Sequence, residues 1–160
     1  MYQLLVPRLQ CLVHWRHQLS ALEEDGIIFL VSPPKQGYHH LFLDGSCCNH
    51  RHPSLNLAAW GVVNATLGQP VAAAPLAGIT QTIDRAELMS LVAGLQWADG
   101  TELGLCFWSD SQSTVHMAEY IWQFDVVPAH AENQDLWTLV QMLLRDRAGL
   151  PTDFRWIPSH

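Results

Sequence analysis

The sequence predicts an α/β domain built on a five-stranded mixed sheet flanked by helices. Short apolar runs of strand length are interspersed with longer stretches whose apolar residues recur at helical spacing. Turn residues punctuate them, notably at Gly68-Gln69-Pro70 and Asp99-Gly100. The resulting order is three strands, a helix, a strand, two helices and a strand, which calls for one sheet with helices on its faces.

Tyr38–Leu43 is a short apolar strand, with His39 and His40 on alternate faces, and it ends at Asp44-Gly45-Ser46. Leu57–Asn64 is the second strand. Pro70–Ile79 is the third; Pro70 and Pro75 have no N–H to donate and confine it to an edge or a bulge. These three follow one another as a meander. A helix comes next, capped by Thr82 or Asp84, with Glu87 in its first turns. Leu88, Leu91, Val92, Leu95 and Trp97 are its apolar residues, and Asp99-Gly100 stops it. Leu103–Trp108 is apolar throughout, as a strand buried on both faces is, and ends at Ser109-Asp110. Gln112–Tyr120 is a second helix and Asn133–Arg147 a third, with Leu136, Leu139, Val140, Leu143 and Leu144 on one face. Asp153–Ile157 is the last strand. A strand–helix–strand step is a parallel crossover, so strands one and four are expected as parallel neighbours.

The 160 residues suit one domain with a full core, and 49% apolar with 14% charged content argues against disorder. Residues 1–37 read as an N-terminal helix (Leu5, Leu9, Leu12, Val13, Leu19 and Leu22) followed by a linker, Ser32–Gly37. They are expected to be either the tail of a preceding domain or a helix packed on the core. They lack the basic start and clean apolar centre of a signal peptide, and no apolar run spans a bilayer, so no membrane partner is expected. Cys11, Cys47, Cys48 and Cys106 form no CxxC pair, which fits a reducing, intracellular compartment and does not separate nucleus from cytoplasm. The net charge is −7 with only eight Lys and Arg, an unfavourable balance for gripping phosphates. Nine histidines add positive charge below about pH 6.5.

Three acids stand at informative places. Asp44 ends the first strand, Glu87 lies early in the first core helix, and Asp110 ends the fourth strand. If strands one and four are parallel neighbours, their C-terminal ends meet, and the intervening helix can present Glu87 there. Three carboxylates in one place repel unless cations neutralise them. Hard cations such as Mg²⁺ prefer oxygen ligands, and two ions roughly 4 Å apart activate a water and stabilise a leaving oxygen in phosphodiester hydrolysis. Taken singly, each acid has a plainer reading as a turn residue, a helix-dipole partner or a helix cap.

The strings LFLDGS, AAWGVV, QTIDRAELMSLVAGL, FWSDSQSTV, ENQDLWTLV and FRWIPSH occur in that order over residues 38–160. This set resembles the type 1 ribonuclease H family, especially the domains attached to reverse transcriptases of retroelements. The resemblance implies a ribonuclease H-like fold and an endonuclease that hydrolyses the RNA strand of an RNA/DNA hybrid. It implies Mg²⁺, with Mn²⁺ as a substitute, and a reverse transcriptase domain in the same polypeptide as a partner. Asp44 would bridge the two ions, while Glu87 and Asp110 would hold the ion on the leaving-group side. Gly45, Ser46 and Gln112 would contact substrate. His160 would assist proton transfer or product release. Trp137 is expected in the core, and burial is the expected state of Trp122.

The family pattern also has a fourth carboxylate in a helix beyond the histidine. The sequence ends at His160, so a domain truncated at its C-terminal end is expected. The stretch from Asp110 to Trp137 lacks Lys and Arg, so the basic substrate-gripping protrusion of some members is expected to be absent. Ile83 and Asp84 stand where many members carry an Asn that faces substrate. Two alternatives follow: a catalytically impaired ribonuclease H-like remnant that binds nucleic acid or serves structure, and a different metal-dependent nucleotidyl transferase or exonuclease of the same broad fold, against which the RAEL and DSQ strings argue. Cys47, Cys48, His50 and His52 cluster, but adjacent cysteines do not match zinc-site spacing.

Overall fold

The computed structural model describes residues 38–49 and 51–158. Its elements are β1 (Tyr38–Cys48), β2 (Leu57–Asn64), β3 (Gln69–Pro75), α1 (Ile83–Trp97), β4 (Gly104–Ser109), α2 (Gln112–Phe124), α3 (Gln134–Asp146) and β5 (Thr152–Trp156), with one 3-10 turn at Pro53–Leu55. The expected N-terminal helix and linker over residues 1–37 lie outside the described residues, as do His50 and His160.

The strand order is β3-β2-β1-β4-β5. β1, β2 and β3 form the expected antiparallel meander. β1 pairs with β4 in parallel, and β4 with β5 in parallel. β4 sits between β1 and β5 and is buried at all six positions, which is why its sequence is apolar without alternation. Leu105 and Phe107 pack on the helix side, against Leu88 and Leu91 of α1, Val115 and Ile121 of α2, and Trp137 and Val140 of α3. Each such fully buried aliphatic side chain contributes about 1.5–3 kcal/mol. Cys106 and Trp108 point to the opposite face, where Trp108 stacks on Phe42 with ring centroids 5.8 Å apart.

Several ends differ from expectation. β1 does not end at Leu43. It leaves β4 after Phe42↔Trp108 but stays paired with β2 as far as Cys48↔Leu57. Asp44-Gly45-Ser46 is therefore extended strand rather than a turn. β3 stops at Pro75 instead of reaching Ile79, because the Gln81 side chain takes its place at the edge. Gln81 accepts from the Ala58 N–H at 2.8 Å and donates to the carbonyls of Leu76 at 2.9 Å and Gly78 at 2.7 Å. α2 runs one turn past Tyr120, since Ile121 continues the buried stripe of Thr114, Val115 and Ala118, and it ends at Asp125 in the left-handed region (φ 53°). Trp97 lies at the rim of α1 and is 36% exposed, outside the core. Trp137 is in the core, and Trp122 is partly buried against it. Among the described residues no helix is long and apolar enough to cross a membrane.

Candidate active site

The sheet register brings two of the acids together. Phe42 and Trp108 are the last parallel partners of β1 and β4. Asp44 and Asp110 each lie two residues further along, so they stand side by side where the parallel ladder has ended, Asp44 still paired with Gly61 of β2. Glu87 comes from α1, on the helix side. One oxygen from each of Asp44, Glu87 and Asp110 lies within 4.8 Å of the other two. These three residues are the group of potential metal ligands found among the described residues. Cys47 is engaged elsewhere: its thiol lies 3.3 Å from Asn49 Oδ1 and 3.5 Å from the Gln81 carbonyl.

Gly45 makes the approach of Glu87 possible. A Cβ at Gly45 would stand 2.4 Å from the Glu87 nitrogen and 2.9 Å from Ala86 C and Glu87 Cα, all backbone atoms. Only glycine lets α1 pack this closely on β1. The Gly45 N–H then donates to Glu87 Oε1 at 2.8 Å, fixing the carboxylate of a residue that is 5% exposed. A sequence reading assigns Gly45 to substrate contact; what the geometry shows is a positioning task.

The first turn of α1 is anchored from two sides. Thr82 Oγ1 accepts from the Arg85 N–H at 3.2 Å, the expected cap. The Arg85 guanidinium donates to both Asp135 oxygens, at 2.9 and 2.5 Å, and to Asn133 Oδ1 at 3.0 Å. The hydrogen bond from Arg85 holds the Asp135 carboxyl below its ordinary value. This clamp between α1 and the start of α3 fixes the turn that carries Glu87. Sequence reasoning missed it because Arg85 and Asp135 are 50 residues apart.

On the other side, Ser111 Oγ caps α2 by accepting from Thr114 N–H, and Ser109 Oγ accepts from the Ser111 N–H at 3.0 Å. Trp156 Nε1 donates to the Asp110 carbonyl at 3.1 Å, a contact that sequence reasoning also missed although FRWIPSH contains the residue. Gln112 is exposed at the first position of α2, and Ser46 Oγ lies 3.5 Å from the Ala59 carbonyl.

Oxygen-only donors converging from parallel strand ends and a neighbouring helix are the ligand chemistry that hard divalent cations require. This arrangement on a β3-β2-β1-β4-β5 sheet defines a ribonuclease H-like fold. The family model for RNase H matches residues 36–160, and the chain belongs to that family. Among solved structures it is similar to the N-terminal RNase H domain of a Mycobacterium tuberculosis protein (20% identity, TM-score 0.52, 75% of this chain and 83% of that one). It is similar to RNase H1 from the halophilic archaeon Halobacterium salinarum (20% identity, TM-score 0.50, 76% and 86%). It is also similar to the prototype foamy virus protease-reverse transcriptase (18% identity, TM-score 0.60), where it covers 78% of this chain and only 18% of that one. Among curated proteins no match is found.

Proposed function

We propose that the chain is an endonuclease that hydrolyses the RNA strand of RNA/DNA hybrids by two-metal-ion catalysis, with Asp44, Glu87 and Asp110 as ion ligands. The observation that carries this reading is the convergence of the three carboxylates within 4.8 Å. Their oxygens suit Mg²⁺, with Mn²⁺ as a substitute. When bound, such ions supply an activated water and stabilise the leaving oxygen. Asp44, Glu87 and Asp110 would hold the ions, Asp44 shared between them as the family resemblance implies and Glu87 and Asp110 on the leaving-group side. Glu87 needs little reorganisation on binding, since Gly45 already holds Oε1. Gly45, Ser46 and Gln112 contact substrate, and RNA is told from DNA through its 2′-hydroxyls. His160 assists proton transfer or product release. A reverse transcriptase domain in the same polypeptide is the proposed partner, by analogy with the foamy virus protein.

A second reading, a remnant that has kept the fold and lost activity, is favoured by the state of the arginines. Four of the five described arginines are committed within the domain: Arg85 to Asp135, Arg145 to Asp125, Arg155 to Asp153, and Arg147 to carbonyls. That leaves little positive charge for phosphates. Cleavage of a labelled RNA/DNA hybrid in Mg²⁺ or Mn²⁺ separates the two. The enzyme reading expects RNA-strand cleavage by the chain and its loss in Asp44→Asn. Absence of cleavage with both ions, in this chain and in one extended past His160, would leave the remnant.

A further inference from the structure

We propose that Trp156 is a positioning residue for Asp110: its indole N–H holds the Asp110 carbonyl and thereby aims the carboxylate at the cluster. The proposal deepens the nuclease reading and rests on it.

The chain passes from β4 into α2 through Asp110 and Ser111. The Ser109 carbonyl accepts from the Ile157 N–H at 3.0 Å, past the end of β5. The Ser111 carbonyl accepts from the Val115 N–H at 3.1 Å, the first bond of α2. The Asp110 carbonyl falls between these two, beyond the ladder and before the helix, where regular structure offers it no donor. Trp156, the last residue of β5 and the register partner of Ser109, supplies one from its side chain at 3.1 Å. The next N–H, that of Ser111, is tied back to Ser109 Oγ at 3.0 Å, and Ser109 is 1% exposed. Both peptide units flanking the Asp110 Cα are therefore held, one by Ile157 just past β5 and the other by Trp156 at its end. The direction in which the Asp110 Cα–Cβ bond leaves the backbone follows from them.

The indole does little as core filler. Trp156 is 44% exposed, whereas Trp137 is 6% exposed. A tryptophan half in solvent whose N–H is spent on the backbone of an ion ligand fits alignment better than packing.

Trp156→Phe keeps a ring and removes the N–H. The test compares it with wild type by Mn²⁺ calorimetry, amide NMR and hybrid-cleavage kinetics. Loss of one such hydrogen bond predicts about fivefold weaker Mn²⁺ binding. It also predicts lower kcat at unchanged KM, little change in Tm, and shifted amide signals for Asp110 and Ser111 with that of Glu87 in place. Equal Mn²⁺ affinity with unmoved Asp110 and Ser111 signals would overturn the proposal. A wild-type chain that binds no Mn²⁺ would overturn the metal-site reading instead, and the NMR comparison decides the Trp156 contact without any ion.

Discussion

Two ionisable side chains are buried at opposite ends of β4, and the chain treats them differently. Arg147 (3% exposed) lies before the strand begins. Its guanidinium donates to the carbonyls of Ala98 at 3.3 Å, Thr101 at 3.4 Å and Leu103 at 2.5 Å, and to Thr152 Oγ1 at 3.5 Å. Burial lowers its pKa from the ordinary guanidinium value, and the ring of acceptors offsets the cost of keeping the charge inside. Glu87 (5% exposed) lies beyond the strand's other end, where it accepts the Gly45 N–H but stands beside two more carboxylates. One charge is answered by the chain's own dipoles and joins the end of α3 to the α1–β4 loop. The other is set among two further acids, an arrangement that favours a cation from outside. Burial of a charge is thus structural at one end of the strand and suited to ligand binding at the other.

Exchanging each charge for a neutral isostere breaks the comparison most sharply. Arg147→Met leaves several carbonyls without their donor and is expected to cost about 3 kcal/mol in urea unfolding, with the folded fraction still able to bind ions. Glu87→Gln is expected to leave metal-free stability unchanged or raised. It should lower hybrid cleavage by more than about 100-fold, beyond what changes around a ligand usually cost. Equal stability losses in the two variants would mean that Glu87 is structural too.

Gly45→Ala tests the packing behind the acidic end. The added methyl meets backbone atoms of α1, so the helix must shift. A loss of about 3 kcal/mol is expected together with weakened ion binding, read by thermal unfolding with and without Mn²⁺. A neutral outcome would show that Glu87 reaches the cluster without close contact between α1 and β1.

The smallest effect concerns a third ionisable group, which meets burial by giving up its charge. His40 Nδ1 accepts from Trp108 Nε1–H at 3.0 Å and must be neutral to do so. Burial first, and the neighbouring His39 second, lower its pKa below 6.5. With the folded value below the unfolded one, the contribution is complete above about pH 6.5 and declines as pH falls toward the folded value. His40→Gln keeps an acceptor and cannot titrate, so its stability should fall less between about pH 7.5 and 5.5. Parallel curves for the two proteins would show that other groups govern acid sensitivity.

Much of the fold was legible in the residues themselves. The unbroken apolar run Leu103–Trp108 announced a central strand, Pro70 and Pro75 an edge or a bulge, and the spacing of Leu136, Val140 and Leu144 the buried face of α3. An apolar run, a residue without an N–H and a helical spacing are all local features, readable without knowledge of neighbours distant in the chain. The identity of the three acids was legible too, through motif strings around each.

Their meeting within 4.8 Å was decided only by the parallel register of β1 and β4 and by the packing of α1 on Gly45. The same holds for β1 running on to Cys48, for Gln81 ending β3, for the Arg147 cluster and for Trp156 beneath Asp110. Several rest on partners distant in the chain: 42 residues for Gly45 and Glu87, 46 for Trp156 and Asp110, 49 for Arg147 and Ala98. Such contacts leave no periodic trace, because they depend on where the sheet places two backbones rather than on the residues beside either one.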